Sequence, residues 1–218
     1  MRNRFDRQLK QLNDDLVDFG SMIETDIETA INALVNQDVE LAKKIIDSDE
    51  EVDRAERDVE NLCLKLLLQQ QPVAKDLRLI SAALKMITDM ERIGHHAADI
   101  SEITVIMSDA SYIKKLEHIQ KMSKETMIML VGSIEAFVNK DIEKAQDVIK
   151  HDDIVDDLFC KVKNELVNII HQDVDAGEQA ANLLLIAKYL EKIGDHAVNI
   201  SEWVIFSITG KHKGEISL

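Results

Sequence analysis

Four pairs of acidic or imidazole side chains recur at a spacing of four residues: Asp49 and Asp53, Glu91 and His95, Asp152 and Asp156, Glu191 and Asp195. On a helix that spacing puts both members of a pair on one face, one turn apart. Carboxylates and imidazoles set out in this way are ligands for divalent or trivalent metal ions. Without an ion, like charges at this spacing disfavour a helix by about 0.2–0.5 kcal/mol per pair. A multivalent cation held between two such helices reverses the sign of that effect. Gly94 and Gly194 lie inside two of the pairs, where a missing side chain lets a metal or a neighbouring helix come close.

Spacing alone proves little. With 41 acidic residues among 218, about seven or eight acidic pairs at this spacing arise by chance. Placement gives these four their weight. Ile80, Leu84 and Ile87 start an apolar seam, and its next 4-3 step falls on Glu91. Leu184 and Ala187 lead in the same way to Glu191. Asp152 interrupts Val148 and Val155, and Asp49 interrupts Ile45 and Val52. A carboxylate on a half-buried seam is costly unless something positive compensates it. Arg54, Arg57, Arg92 or Lys192 could do so without a metal, in surface networks.

The chain is a tandem duplication. Glu91-Arg92-Ile93-Gly94-His95-His96-Ala97-Ala98-Asp99-Ile100-Ser101-Glu102 returns 100 residues later, beginning at Glu191, with eight of the twelve positions identical. Asn36–Glu40 and Asp49–Asp53 return 103 residues later, at Asn139–Glu143 and Asp152–Asp156. The second copy therefore lacks three residues, which are expected to fall in the loop that holds Pro72 in the first copy and Asp175-Ala176-Gly177 in the second. Domains of 1–109 and 110–218 follow.

Seven glycines, one proline and many Ala, Leu, Ile, Glu and Lys residues predict an all-α fold. Each half reads as three helices, over about 4–35, 39–70 and 75–107, then 112–138, 142–172 and 178–209. Asp38 and Asp141 are the expected N-caps of the second and fifth. Val148, Val155, Val162 and Ile169 recur every seven residues, interleaved with Phe159 and Leu166. Met86, Met90, Ile93, Ala97 and Ile100 run beside the Ile80 seam, which gives that helix two neighbours. Three long helices joined by short loops run up-down-up, so the fold is two tandem, pseudo-symmetric three-helix bundles. His96 and His196 stand about 140° round the helix from Glu91 and Glu191, so they read as hydrogen-bonded structural residues.

A net charge of −15 repels phosphate backbones and argues against direct nucleic-acid binding. Cys63 and Cys160 fall at unrelated positions of the two copies and form no CxxC, which points to a reducing compartment. No signal peptide is legible at the start, and no apolar run reaches the ~18 residues a membrane span needs. No nucleophile motif or phosphate loop points to catalysis.

Two copies of E-(R/K)-I-G-(D/H)-H-A-x-(N/D)-I, each preceded by a D-x-x-x-D helix, resemble the PhoU family. The resemblance covers nearly the whole chain. It implies a cytoplasmic, non-enzymatic negative regulator of phosphate transport and of phosphate-starvation signalling. It implies docking to the ATPase subunit of a phosphate ABC transporter and to a sensor histidine kinase, with contact to the membrane only through those partners. A homodimer is implied too, though these residues single out no dimer face. Iron is the metal it implies first, with zinc or manganese as others, on Asp49, Asp53, Glu91 and His95 in one half and on Asp152, Asp156, Glu191 and Asp195 in the other. His95 stands where the family pattern has Asp. Two readings compete: a carboxylate-bridged metalloenzyme, and a metal-free helical scaffold.

Overall fold

The computed structural model describes residues 2–70 and 73–212. Six long helices carry them: α1 (Arg2–Asn36), α2 (Val39–Gln70), α3 (Ala74–Ile106), α4 (Glu117–Asn139), α5 (Ile142–Gln172) and α6 (Gly177–Thr209). The apolar rhythm dictates how they pack. Leu12, Leu16, Phe19, Ile23, Ile27 and Leu34 of α1 are buried on one face. Ile45, Val52, Val59 and Leu66 of α2, seven apart, close onto that face. Val148, Val155 and Val162 repeat the arrangement on α5. Burying one such side chain contributes roughly 1.5–3 kcal/mol, so Leu16→Ala at a fully buried site costs about 2–5 kcal/mol.

α3 and α6 are buried over a wider arc. Each packs within its own bundle and also against the other, and α1 lies against α4. The second stripe of α3 (Met86, Met90, Ile93, Ala97 and Ile100) is fully buried. One apolar core therefore runs through both halves.

The caps repeat as well. Asp38 Oδ1 accepts from the Leu41 N–H and Asp141 Oδ1 from the Lys144 N–H, both at 3.0 Å. The residue before each cap is left-handed, Gln37 with φ 53° and Lys140 with φ 55°. That turn lets the Asp38 and Asp141 N–H groups donate back to Ala33 and Ala136 at 2.9 Å, closing the preceding helix.

One boundary differs from the sequence reading. α4 starts at Glu117, not near 112, and side chains far away in sequence hold the turns and bends of the segment before it. Gln37 Nε2 donates to the carbonyls of Met107 (3.3 Å) and Ala110 (2.7 Å). Gln179 accepts from the Ile113 N–H and donates to the Ser111 carbonyl. The three residues absent from the second copy fall in the connection where they were expected: α2 and α5 start 103 residues apart, whereas α3 at Ala74 and the 3-10 turn Val174–Ala176 that runs into α6 start 100 apart, like the motifs that follow them. Pro72, the expected stop for α2, lies outside the described residues.

Candidate metal centre

In the first half, α2 presents Asp49 and Asp53 to Glu91 and His95 of α3. His95 is the hub. Its Nδ1 lies 2.7 Å from Asp49 Oδ1, and its Nε2 lies 3.3 Å from both Asp53 Oδ1 and Glu91 Oε1. Burial pulls the His95 pKa down, but the hydrogen bond to Asp49 and the charges of Asp49 and Glu91 outweigh it, so the net shift is upward. When protonated, His95 is the cation of its own cluster. A metal ion would replace the Nε2 proton.

The donor set fits such an ion. One donor atom from each of Asp53, Glu91 and His95 lies within 4.8 Å of the other two. Bonds of about 2.0–2.2 Å put neighbouring donors roughly 3–3.5 Å apart, which the 3.3 Å separations already approach. Asp49 stands outside this trio. Its contact is with the far side of the imidazole.

Gly94 holds the helices at this distance. A Cβ there would lie 2.7 Å from Val52 Cγ1, so α2 and α3 approach through the missing side chain. Gly194 does the same on α6, but its Cβ would meet Asp152 Oδ1 at 2.9 Å.

The second half gathers Asp152, Asp156, Glu191 and Asp195, with Asp195 in place of the histidine. Burial, followed by the charges of Asp156, Asp195 and Glu191, pushes the Asp152 pKa up to about 6. Asp156 is more exposed and is raised by the same kinds of cause. Asp152 Oδ1 is buried with no hydrogen-bond partner, an arrangement that costs free energy unless a cation meets it. Part of the charge is balanced from α6 itself. Lys188 Nζ donates to Glu191 Oε1 at 2.6 Å, and Lys192 pairs with Asp195 and lies 3.6 Å from Glu191 Oε2. These four carboxylates form no group as tight as the first trio among the described residues, because they repel one another and no imidazole bridges them. Arg54 pairs instead with Glu50 at 3.5 Å, and Arg57 reaches Asp53 at 3.7 Å.

Two carboxylates near the first cluster escaped the sequence reading. Asp26 sits on the α1 seam between Ile23 and Ala30, half-buried; burial and the charges of Glu51 and Asp49 push its pKa up to about 6. Glu56 sits one step beyond Val52 on the α2 seam; burial and the charges of Glu60, Glu91 and Asp53 raise it. The seam-break criterion that selects Asp49 selects both. Their second-copy counterparts are Met129 and Phe159.

His96 and His196 face away from these clusters, into the contact between α3 and α6. His96 Nδ1 is 3.0 Å from Asp99 Oδ2, and its ring stacks on Tyr189 with centroids 5.2 Å apart. His196 Nδ1 is 2.7 Å from Asp89 Oδ1, across the junction of the halves. Burial, with His196 and His95 nearby, lowers the His96 pKa despite Asp99. Both histidines are structural in this sense.

No helix among the described residues is long and apolar enough to cross a membrane. Comparison with known proteins agrees with the fold and the duplication. The family described as the PhoU domain matches twice, at residues 16–104 and 119–204. The phosphate-specific transport system accessory protein PhoU homolog of Clostridium acetobutylicum is 37% identical over 211 residues, covering 96% of each chain. The homolog of the same description in Pseudomonas aeruginosa is 29% identical over 216 residues, 99% of this chain and 89% of its own. The crystal structure of PhoU from Pseudomonas aeruginosa superposes with a TM-score of 0.89 at 29% identity, over 95% of this chain and all of the other. The phosphate transport system regulatory protein PhoU from Streptococcus pneumoniae gives 0.89 at 25% identity, over 98% of this chain and all of the other. Two matched domains, six helices in the same arrangement and relatives that align nearly end to end lead to one conclusion: this chain belongs to the PhoU family.

Proposed function

We propose that this chain is a metal-binding regulator of phosphate transport without catalysis of its own. It acts in the cytoplasm as a homodimer. It docks on the ATPase subunit of a phosphate ABC transporter and on a sensor histidine kinase, and it restrains uptake and starvation signalling when phosphate is ample. One observation carries the regulatory reading: the relatives that align over nearly the whole chain are named as accessory proteins of phosphate-specific transport. The metal component is supported by the convergence of Asp53, Glu91 and His95. These residues would hold iron, zinc or manganese, and Asp152, Asp156, Glu191 and Asp195 would hold a second ion. Bound there, a metal supplies positive charge that joins α2 to α3 and α5 to α6, which stiffens the surface offered to partners. His95 orients its nitrogen, and the carboxylates set the charge.

The test is binding of the purified chain to the purified transporter ATPase subunit and to the kinase's cytoplasmic part, with metal and after chelation. Saturable binding to either partner, weakened by chelation, is expected. Binding to neither would refute the docking. Equal binding with and without metal would separate docking from the metal.

A further inference from the structure

The two halves place the same backbone positions in different chemical settings. In the first half, Asp49 is hydrogen-bonded to Nδ1 of His95, and Nε2 faces Asp53 and Glu91. With its proton on Nδ1, His95 donates to Asp49 and offers the Nε2 lone pair to an ion. A carboxylate behind a metal-binding imidazole fixes its tautomer and orientation. In the second half the imidazole is replaced by Asp195, so the equivalent Asp152 has nothing to orient, and its Oδ1 is left buried and unpartnered. The surroundings differ in the same direction. Asp26 and Glu56 add negative charge beside the first cluster, where the second copy has Met129 and Phe159. Lys188 already pairs with Glu191 and Lys192 with Asp195 in the second cluster, and Lys188 lies 5.3 Å from the centroid of the Phe159 ring. Position 88 of the first copy is a threonine, and Arg92 is exposed.

We propose that the two centres are unequal. The first half binds a borderline divalent cation tightly through His95 Nε2, Asp53 and Glu91, with Asp49 positioning the imidazole. The second half binds its ion weakly through oxygen alone, with Asp152 as a direct ligand and Lys188 and Lys192 as competitors. This rests on the metal-binding reading above and adds to it the order of filling and the division of roles. Nitrogen ligands favour zinc, cobalt or ferrous iron over magnesium or calcium, whereas an all-oxygen set does not. An ion that binds Glu191 or Asp195 there must displace an ammonium group from the carboxylate.

The test is titration of the full-length, chelator-stripped chain with cobalt(II), followed by calorimetry and by the proton spectrum of the cobalt-loaded protein. Wild type is expected to fill one centre at least about 10-fold more tightly than the other. The tight centre should show a paramagnetically shifted, exchangeable imidazole N–H signal. His95→Asp should abolish that signal and weaken the tight step. Asp49→Asn should keep the signal, speed its exchange with solvent and weaken the tight step about 10- to 100-fold. Asp152→Asn should remove only the weak step, and joint Lys188→Met and Lys192→Met changes should strengthen it. Two equal steps, or loss of the tight step on Asp152→Asn, would overturn this inference and leave metal binding standing. No bound cobalt at all would overturn both.

Discussion

Gly94 and Gly194 occupy matching places in the duplicated motif, yet alanine at the two should have opposite effects. A Cβ at position 94 would lie 2.7 Å from Val52 Cγ1 and 3.0 Å from Cγ2. Val52 is 1% exposed, and as a β-branched residue on a helix it has one strongly preferred rotamer. It has no room to retreat, so overpacking costs about 1–3 kcal/mol. Alanine regains about 1 kcal/mol of helix propensity. Gly94→Ala should therefore destabilise the chain by about 1 kcal/mol, lowering Tm by about 2–4 °C for a protein of this size. At position 194 the added methyl meets Asp152 Oδ1 at 2.9 Å. That atom ends a side chain able to swing outward, and in doing so it leaves a buried spot where it has no partner. The metal-free Gly194→Ala variant should gain most of the propensity, about 0.5–1 kcal/mol. It should also bind metal more weakly, because Asp152 has been turned away. Thermal unfolding by circular dichroism in chelator, with a metal titration of each variant, reads both effects. Val52→Ala should soften the loss from Gly94→Ala, a coupling of about 1 kcal/mol in a double-mutant cycle. A stabilised Gly94→Ala variant, or a Gly194→Ala variant that keeps full metal affinity, would refute the argument.

Three further outcomes follow from the same geometry. Asp26 and Asp152 have folded pKa values of about 6, above the ordinary 3.8. Each contributes stability that is fully present below about pH 4 and is lost as pH rises through about 6, and the raised His95 acts in the same direction. Both carboxylates are partly solvated, so screening reduces the contribution to about 1 kcal/mol each. Chelated protein should thus melt higher at pH 5 than at pH 7.5, and joint Asp26→Asn and Asp152→Asn changes should flatten the difference; a Tm that climbs over this range would contradict the assignment. Lys140, left-handed at φ 55°, should tolerate glycine with a gain of several tenths of a kcal/mol, because relief of strain exceeds the added freedom of the unfolded chain. A clear loss in Tm would show that the turn is unstrained. Gln179→Ala should free residues 111–113 by removing both of its bonds to them, read as faster amide exchange at Ile113 with little change in Tm.

The helices and their packing were legible because burial follows the seven-residue spacing of Val148, Val155 and Val162, and of Ile45, Val52, Val59 and Leu66. Asp49, Asp152, Glu91 and Glu191 stood out as charges on that same spacing, and the duplication marked them twice. Asp26 and Glu56 escaped because their counterparts, Met129 and Phe159, are apolar; agreement between the copies cannot reveal a residue only one of them has. Lys188 and Lys192 pair with Glu191 and Asp195 at a spacing of three on α6, so these contacts were within reach of the sequence, which singled out Lys192 but not Lys188. The start of α4 depends on Gln37 and Gln179, remote in sequence from the carbonyls and N–H groups they hold. Asp49 looked like a ligand by spacing, but its place behind the imidazole appears only in three dimensions.

Metal content per chain, measured by elemental analysis on protein purified without chelator and supplied with iron, zinc or manganese, tests the central claim most directly. At least about one ion per chain is predicted, falling sharply in Glu91→Gln and His95→Ala while the helical spectrum is retained. Less than about 0.2 ion per chain under every supply, in protein that is fully folded, would contradict it.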